Sequence, residues 1–295
     1  MNKRIDKLFK NSKKISINNQ SKIVIMSDCH RGIGDINDNF KRNKNIYGDA
    51  LNYYYKNGFT YIELGDGDEM WEIEDYNRII QENIKIFKII KKFHDNNRLI
   101  MLYGNHDIIK RHQEILEKHF YKYNNKNKEE DLLNNLTTYE SLILSYNNKD
   151  IFLIHGHQLD IINSSFWKIT RFFIKNAWKK VEQIGIKDLT NNIENNKVEN
   201  KIEQQLKKWS IKNNKIVIAG HTHNPIYPEI GDSLYFNDGS CIHPDGITCI
   251  EIENGSISLI KWTYVIKDNK FISVERQVII GNKSIDSFYN FVTKW

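Results

Sequence analysis

Five short apolar runs in this chain each end on acid, histidine or asparagine side chains. The blocks are Asp28-Cys29-His30, Gly65-Asp66, Gly104-Asn105-His106-Asp107, His155-Gly156-His157 and Gly220-His221-Thr222-His223. They follow Ile23 to Met26, Thr60 to Leu64, Leu99 to Tyr103, Ile151 to Ile154 and Ile216 to Ala219. Short apolar runs closed by turn residues read as buried strands. A glycine beside such a run lets the backbone bend and bring the next side chain to the sheet edge. In open α/β sheets, ligands bind in the crevice beyond the strand ends. Five edges of this kind can therefore converge on one site.

The donors at those edges suit metal chemistry. Carboxylate and imidazole with little thiolate favour Zn, Mn or Fe over a thiolate-bound structural zinc. Asp28, His30, Asp66, Asn105, His155, His221 and His223 are the candidate ligands. A single catalytic zinc uses about three protein ligands. This set is too large for one such ion and fits two ions sharing a carboxylate. Two ions about 3.5–4 Å apart clamp the attacking and leaving oxygens of a displacement at phosphorus. His221 and His223 alternate along an extended segment, so both reach one site only if the chain turns there. Gly220 and Pro225 favour that turn. Taken singly, each block is ordinary: a surface polar pair, a Gly-Asp turn, or a polar loop capping a helix near Ile108. Their joint occurrence, in order and each after a strand, carries the inference.

At these residues the chain resembles the calcineurin-like metallophosphoesterases. That family's pattern runs Asp-x-His, Gly-Asp, Gly-Asn-His-Asp/Glu, His, Gly-His-x-His, and the resemblance extends from about Ser21 to Trp262. It implies an α/β fold, a four-layer α/β/β/α sandwich of two mixed sheets flanked by helices. It implies a binuclear metal-dependent hydrolase of a phosphoester or pyrophosphate bond, acting through a metal-bridging hydroxide on two divalent ions (Mn, Fe or Zn). The first ion would take Asp28, His30, Asp66 and His223. The second would take Asp66, Asn105, His155 and His221. His106 matches the position beside the leaving-group oxygen and would be the general acid, with Asp107 orienting it. Arg31, next to the first block, would hold a phosphate oxygen or else be a surface charge. Asp68 and Glu69 add acid beside Asp66 in a supporting role, and His157 competes with His155 as ligand. Within the family, the insertion before the last block looks like that of bacterial UDP-2,3-diacylglucosamine pyrophosphohydrolases. A protein phosphatase, a nuclease and a non-catalytic metal-binding scaffold are the alternatives on the same core.

The remaining sequence sets bounds. At 295 residues, with 40% aliphatic and aromatic residues and 27% charged, the chain can bury a sizeable core. Residues 1–20 read as a basic N-terminal segment without an apolar signal, and residues 21–295 as the metallophosphoesterase domain. No run approaches the ~18 apolar residues of a membrane span. Three cysteines, one of them Cys29, suit a reducing cytoplasm. The net charge of +6 favours anionic partners or reflects scattered lysines. Helical spacing covers 41–57 and 77–95, and 124–131 reads as a polar loop. A helical insertion spans 161–208, with strand 271–280 and helix 283–294 at the C-terminal end. From Phe166 to Ile184 the insertion pairs an aromatic face with a basic stripe. Such a helix packs as a lid, or contacts lipid at the membrane surface or in a lipid-linked substrate. The expected partner is a small phosphorylated substrate. No nucleic acid is expected, since no long basic, aromatic groove stands out.

Overall fold

The computed structural model describes residues 3–125, 128–159, 189–267 and 271–290. Two sheets lie at its centre. The first runs in the order β1 (Lys13–Ile17), β8 (Ser141–Tyr146), β9 (Lys149–Ile154), β10 (Ile216–Ala219), β11 (Tyr235–Asn237). The second runs β14 (Phe271–Ser284), β13 (Ser256–Lys267), β12 (Ile247–Glu253), β2 (Lys22–Met26), β3 (Thr60–Leu64), β4 (Leu99–Leu102), β7 (Thr138–Tyr139). β2, β3 and β4 pair in parallel, as do β9 with β10 and β10 with β11. β8–β9 and the strands from β12 to β14 are antiparallel, so both sheets are mixed.

The layering follows from side-chain alternation along each strand. In β2, Ile23 and Ile25 join Leu142, Leu144, Leu153 and Ile218 in the core between the sheets. Val24 and Met26 face the other way, under the helices α2 (Lys44–Lys56) and α4 (Ile84–Asp95), against Tyr47, Tyr54, Phe87 and Phe93. On the far side of the first sheet, Phe152, Ile154 and Val217 pack against α1 (Lys3–Asn11) and α6 (Leu189–Asn213). Strands buried on both faces read as continuous apolar runs, which is why the alternation is invisible in the sequence. The result is the expected four-layer α/β/β/α sandwich.

Four local readings change. The segment 1–20, set apart as a basic tail, supplies α1 and β1, and β1 pairs in parallel with β8. The helical stretch 77–95 is two helices, α3 (Tyr76–Glu82) and α4, divided at buried Asn83. The Asn83 amide donates to Gly32 O at 2.8 Å and to Ile79 O at 2.9 Å, pinning the loop after the first block. The polar loop at 124–131 is a hairpin, β5 (Lys122–Asn125) with β6 (Lys128–Asp131). At the C-terminal end, β14 outruns the expected strand, and α7 (Ile285–Asn290) is the described part of the closing helix. The helix near Ile108 is a short 3-10 turn at Ile108–Arg111 followed by α5 (Gln113–His119). The stretch from Phe166 to Ile184 lies outside the described residues. No helix among them is long and apolar enough to cross a membrane.

Candidate metal centre

Every strand-end block arrives at the same edge, three of the five held there by backbone conformations that side chains rarely adopt. Asp28, His30, Asp66, His221 and His223 all have positive φ, between 48° and 69°. Left-handed backbone at residues other than glycine is costly, and such strain gathers at functional sites. Glycine serves where space disappears altogether. A Cβ at Gly104 would sit 2.1 Å from Asp66 Oδ1, and one at Gly65 2.7 Å from the His155 ring.

Six of the seven candidate ligands fall into two donor groups. Asp28, His30 and His223 present atoms within 4.8 Å of one another, and so do Asp66, His155 and His221. The groups adjoin: His155 Nε2 lies 3.9 Å from Asp28 Oδ1, and His30 Nε2 lies 3.9 Å from Asp66 Oδ2. The seventh, Asn105, follows Gly104 directly in the same loop. His30 Nε2, Asn105 Oδ1 and His155 Nε2 are buried with no hydrogen-bond partner. His155 Nδ1 contacts Leu64 O at 2.9 Å. That contact puts the proton on Nδ1 and leaves the Nε2 lone pair free. Buried polar atoms are normally satisfied. Three unsatisfied ligand-type atoms at one edge fit resident cations.

The charges agree. Burial opposes ionisation of Asp28, but His223 and His155 outweigh it and hold the carboxyl well below its ordinary range. Burial and the neighbouring His155 push His221 down to about 3, leaving a neutral imidazole. Ionised carboxylates and neutral imidazoles are the ligating forms. His157, the competing histidine, is buried with its ring 5.4 Å from that of His155 and belongs to neither donor group.

His106 stands at the rim. Its Nδ1 meets both Glu69 oxygens, at 2.8 and 2.9 Å, and its ring packs 4.5 Å from that of Trp71. Glu69 also reaches His30 Nδ1 at 3.2 Å. The carboxylate that orients His106 is therefore Glu69 and not Asp107. Asp107 accepts instead from the backbone N–H groups of Gly104, Asp66 and Gly67, at 2.7, 3.2 and 3.0 Å, and from Lys110 Nζ at 2.8 Å. It shapes the loop that carries Asp66 and Asn105. Arg31 is corrected too. Its side chain is fully buried and is neither a surface charge nor a phosphate clamp. Its guanidinium forks onto Glu63 at 2.6 and 3.0 Å and bonds Asp68 at 2.6 Å. Lys110 Nζ lies 2.6 Å from Asp68, joining both corrected residues in one buried network.

Asp238 was missed. Ser27 Oγ lies 2.5 Å from Asp28 Oδ2 and 2.7 Å from Asp238 Oδ1. One hydroxyl proton cannot serve both, so a carboxyl proton on Asp238 completes the pair. Burial and the charge of Asp28 raise its pKa well above the ordinary value, which supplies that proton. A signal existed: Tyr235-Phe236-Asn237-Asp238-Gly239 is a sixth apolar run ending on acid and glycine.

A cleft of about 580 Å³ opens from His30, His106 and His223. Among the described residues, its walls carry Asp35, Asp38, Glu69, Glu72, Glu74 and Asp75 with one arginine, Arg78.

The model of the calcineurin-like phosphoesterase superfamily domain matches residues 22–254, and the chain belongs to that superfamily. It is a metal-dependent phosphoesterase. Among solved structures, Vacuolar Protein Sorting 29 from Cryptosporidium parvum is similar at 12% identity, covering 88% of this chain and 98% of that one, with a TM-score of 0.40. A novel archaeal phosphodiesterase is similar at 18% identity over 88% and 99%, with a TM-score of 0.38. A conserved protein of Streptococcus pneumoniae TIGR4, described as a predicted phosphoesterase, is similar at 15% identity over 87% and 98%, with a TM-score of 0.36. No curated protein matches.

Proposed function

We propose that this chain hydrolyses a phosphoester or phosphoanhydride bond in a small molecule, using two divalent ions. Asp28, His30 and His223 would hold one, Asn105, His155 and His221 the other, with Asp66 between them. The observation that carries the reading is the trio of unsatisfied buried donors, His30 Nε2, Asn105 Oδ1 and His155 Nε2. When bound, such ions polarise phosphoryl oxygens and bring the pKa of water toward neutrality. The chain's own residues do the rest. His106 gives a proton to the leaving oxygen, because Glu69 fixes its Nδ1 and turns Nε2 outward. Ser27 and Asp238 hold Asp28, while Asp107 holds the backbone around Asp66 and Asn105.

The acidic cleft narrows the substrate. Beyond the ions, whose own charge draws the phosphoryl group, the cleft wall that carries Asp35, Asp38 and Asp75 beside Arg78 works against a polyanionic leaving group. This favours a leaving group that is neutral or cationic and disfavours nucleic acid or a nucleoside diphosphate. A non-catalytic scaffold is disfavoured because every expected donor is present.

The test is hydrolysis of aryl phosphomonoesters and diesters after chelation and after addition of Mn, Fe or Zn. We expect no activity in chelator and recovery with metal. Full activity after exhaustive chelation would contradict the proposal. Among matched diesters, a choline-bearing ester should outperform a nucleotide ester, the gap closing as salt screens the cleft. A salt-independent preference for the nucleotide ester would remove the substrate argument while leaving the metal chemistry standing.

A further inference from the structure

Away from the acidic cleft, a second cavity of about 600 Å³ lies between α1 and the β7–β8 edge. The two lining sets share no residue. This volume is ordinary for a small-molecule site. Its charge is the reverse of the cleft's: among the described residues Arg4, Lys7 and Lys13 line it with one carboxylate, Glu140, which the Tyr103 hydroxyl engages. Neither Lys7 nor Lys13 pairs with a carboxylate among the described residues. Lys13 Nζ instead donates to the Tyr139 hydroxyl at 2.8 Å.

The cations are carried on a fixed frame. α1 buries Ile5 fully and wedges Phe9 between Phe152 and Trp209, with centroids 5.4 and 5.5 Å away. Trp209 Nε1 donates to Asp6 at 2.8 Å, and Ser12 Oγ meets Ser141 Oγ at 2.7 Å. An amphipathic helix tied down on its apolar side holds its basic side over the cavity. The floor is wired to the metal-centre loop: Glu140 O accepts from Gln158 Nε2 at 3.0 Å, and Gln158 Oε1 accepts from Gly156 N at 3.0 Å.

We propose that this cavity binds the phosphate group of a small anionic molecule, at a site separate from the metal centre. The Lys7 and Lys13 ammonium groups line the cavity beside Arg4 and the Tyr139 phenol, and cations of this kind suit phosphate oxygens. The proposal stands whether or not the metal centre performs the chemistry assigned above.

The probe is inorganic phosphate, titrated calorimetrically into zinc-loaded protein. Wild type should show two classes of site. The double variant Lys7→Glu, Lys13→Glu should weaken one of them at least tenfold, with zinc content, melting temperature and aryl diester turnover unchanged. His221→Ala, which disables the metal centre, should keep that site. Binding unchanged by the charge reversal would overturn the proposal. So would loss of all phosphate binding in His221→Ala, which would assign every bound phosphate to the metals. If the charge-reversed protein fails to fold, Lys7→Gln with Lys13→Gln should weaken the same site. Unchanged phosphate binding in that milder variant would refute the idea equally.

Discussion

Asp28, His30, Asp66, His221 and His223 could be singled out from the sequence because five apolar runs in order end on acid, imidazole or amide, although no one of these blocks would suffice. Their left-handed backbones could not, because no local residue dictates them; the surrounding packing imposes them. The supporting residues were harder still. Asp107 closes one block and Arg31 follows another, and both read as participants, yet both point into the buried network around Asp68 and Lys110. Proximity in sequence fixes which loop a residue shapes, not which way its side chain turns. Two outcomes follow. His106→Ala should lower turnover by about 10²–10⁴-fold with metal content intact, and Glu69→Gln should act in the same direction by releasing the imidazole. Metal analysis beside kcat checks this, and metal loss in His106→Ala would make that residue a ligand. Arg31→Met should leave KM alone but cost roughly 3–5 kcal/mol in urea unfolding, since buried Glu63 would lose its two-pronged partner and Asp68 would keep only Lys110. The same network makes stability fall in acid. Burial opposes ionisation of Asp68, but Arg31 and Lys110 hold its pKa at about 2. A carboxylate lowered in the fold stabilises it above its unfolded pKa of about 3.9 and loses that contribution as pH falls toward the folded value. Asp68→Asn should therefore flatten the stability curve between about pH 4 and pH 2.

Helices and strands were legible in proportion to how strongly period and burial agreed. β3 and β10 match their expected spans because each is short, apolar and flanked by turn residues. The division at Asn83 was not legible, since 77–95 keeps helical spacing across it and the break exists to hold Gly32 O, a tertiary contact. The hairpin of β5 and β6 was hidden by its polar, solvent-facing composition. Composition also masked α1, whose basic residues outnumber the apolar ones it buries. Asn83→Ala should loosen the loop that walls the acidic cleft. We expect KM for aryl diesters to rise several-fold with metal content unchanged, and a loss of about 1–3 kcal/mol from the broken buried hydrogen bonds. A KM identical to wild type would show that the loop is held by other contacts.

Over the whole molecule, the net charge of +6 suggested anionic partners without locating them. The structure separates the signs: carboxylates crowd the cleft at the metal centre, and cations gather over the cavity beside α1. An average over the chain cannot carry that partition. The fold itself follows from the strand-end blocks, because five buried edges bearing donors can meet only where two packed sheets bring them together. The central claim is that they meet to hold two cations through Asp66. Elemental analysis of protein reconstituted with zinc or manganese and freed of loose ion tests it most directly. The account requires about two ions per chain, falling to one or none in Asp66→Ala together with loss of phosphodiester hydrolysis. A wild-type protein that binds one ion or none, or an Asp66→Ala variant that keeps both ions and full activity, would contradict it.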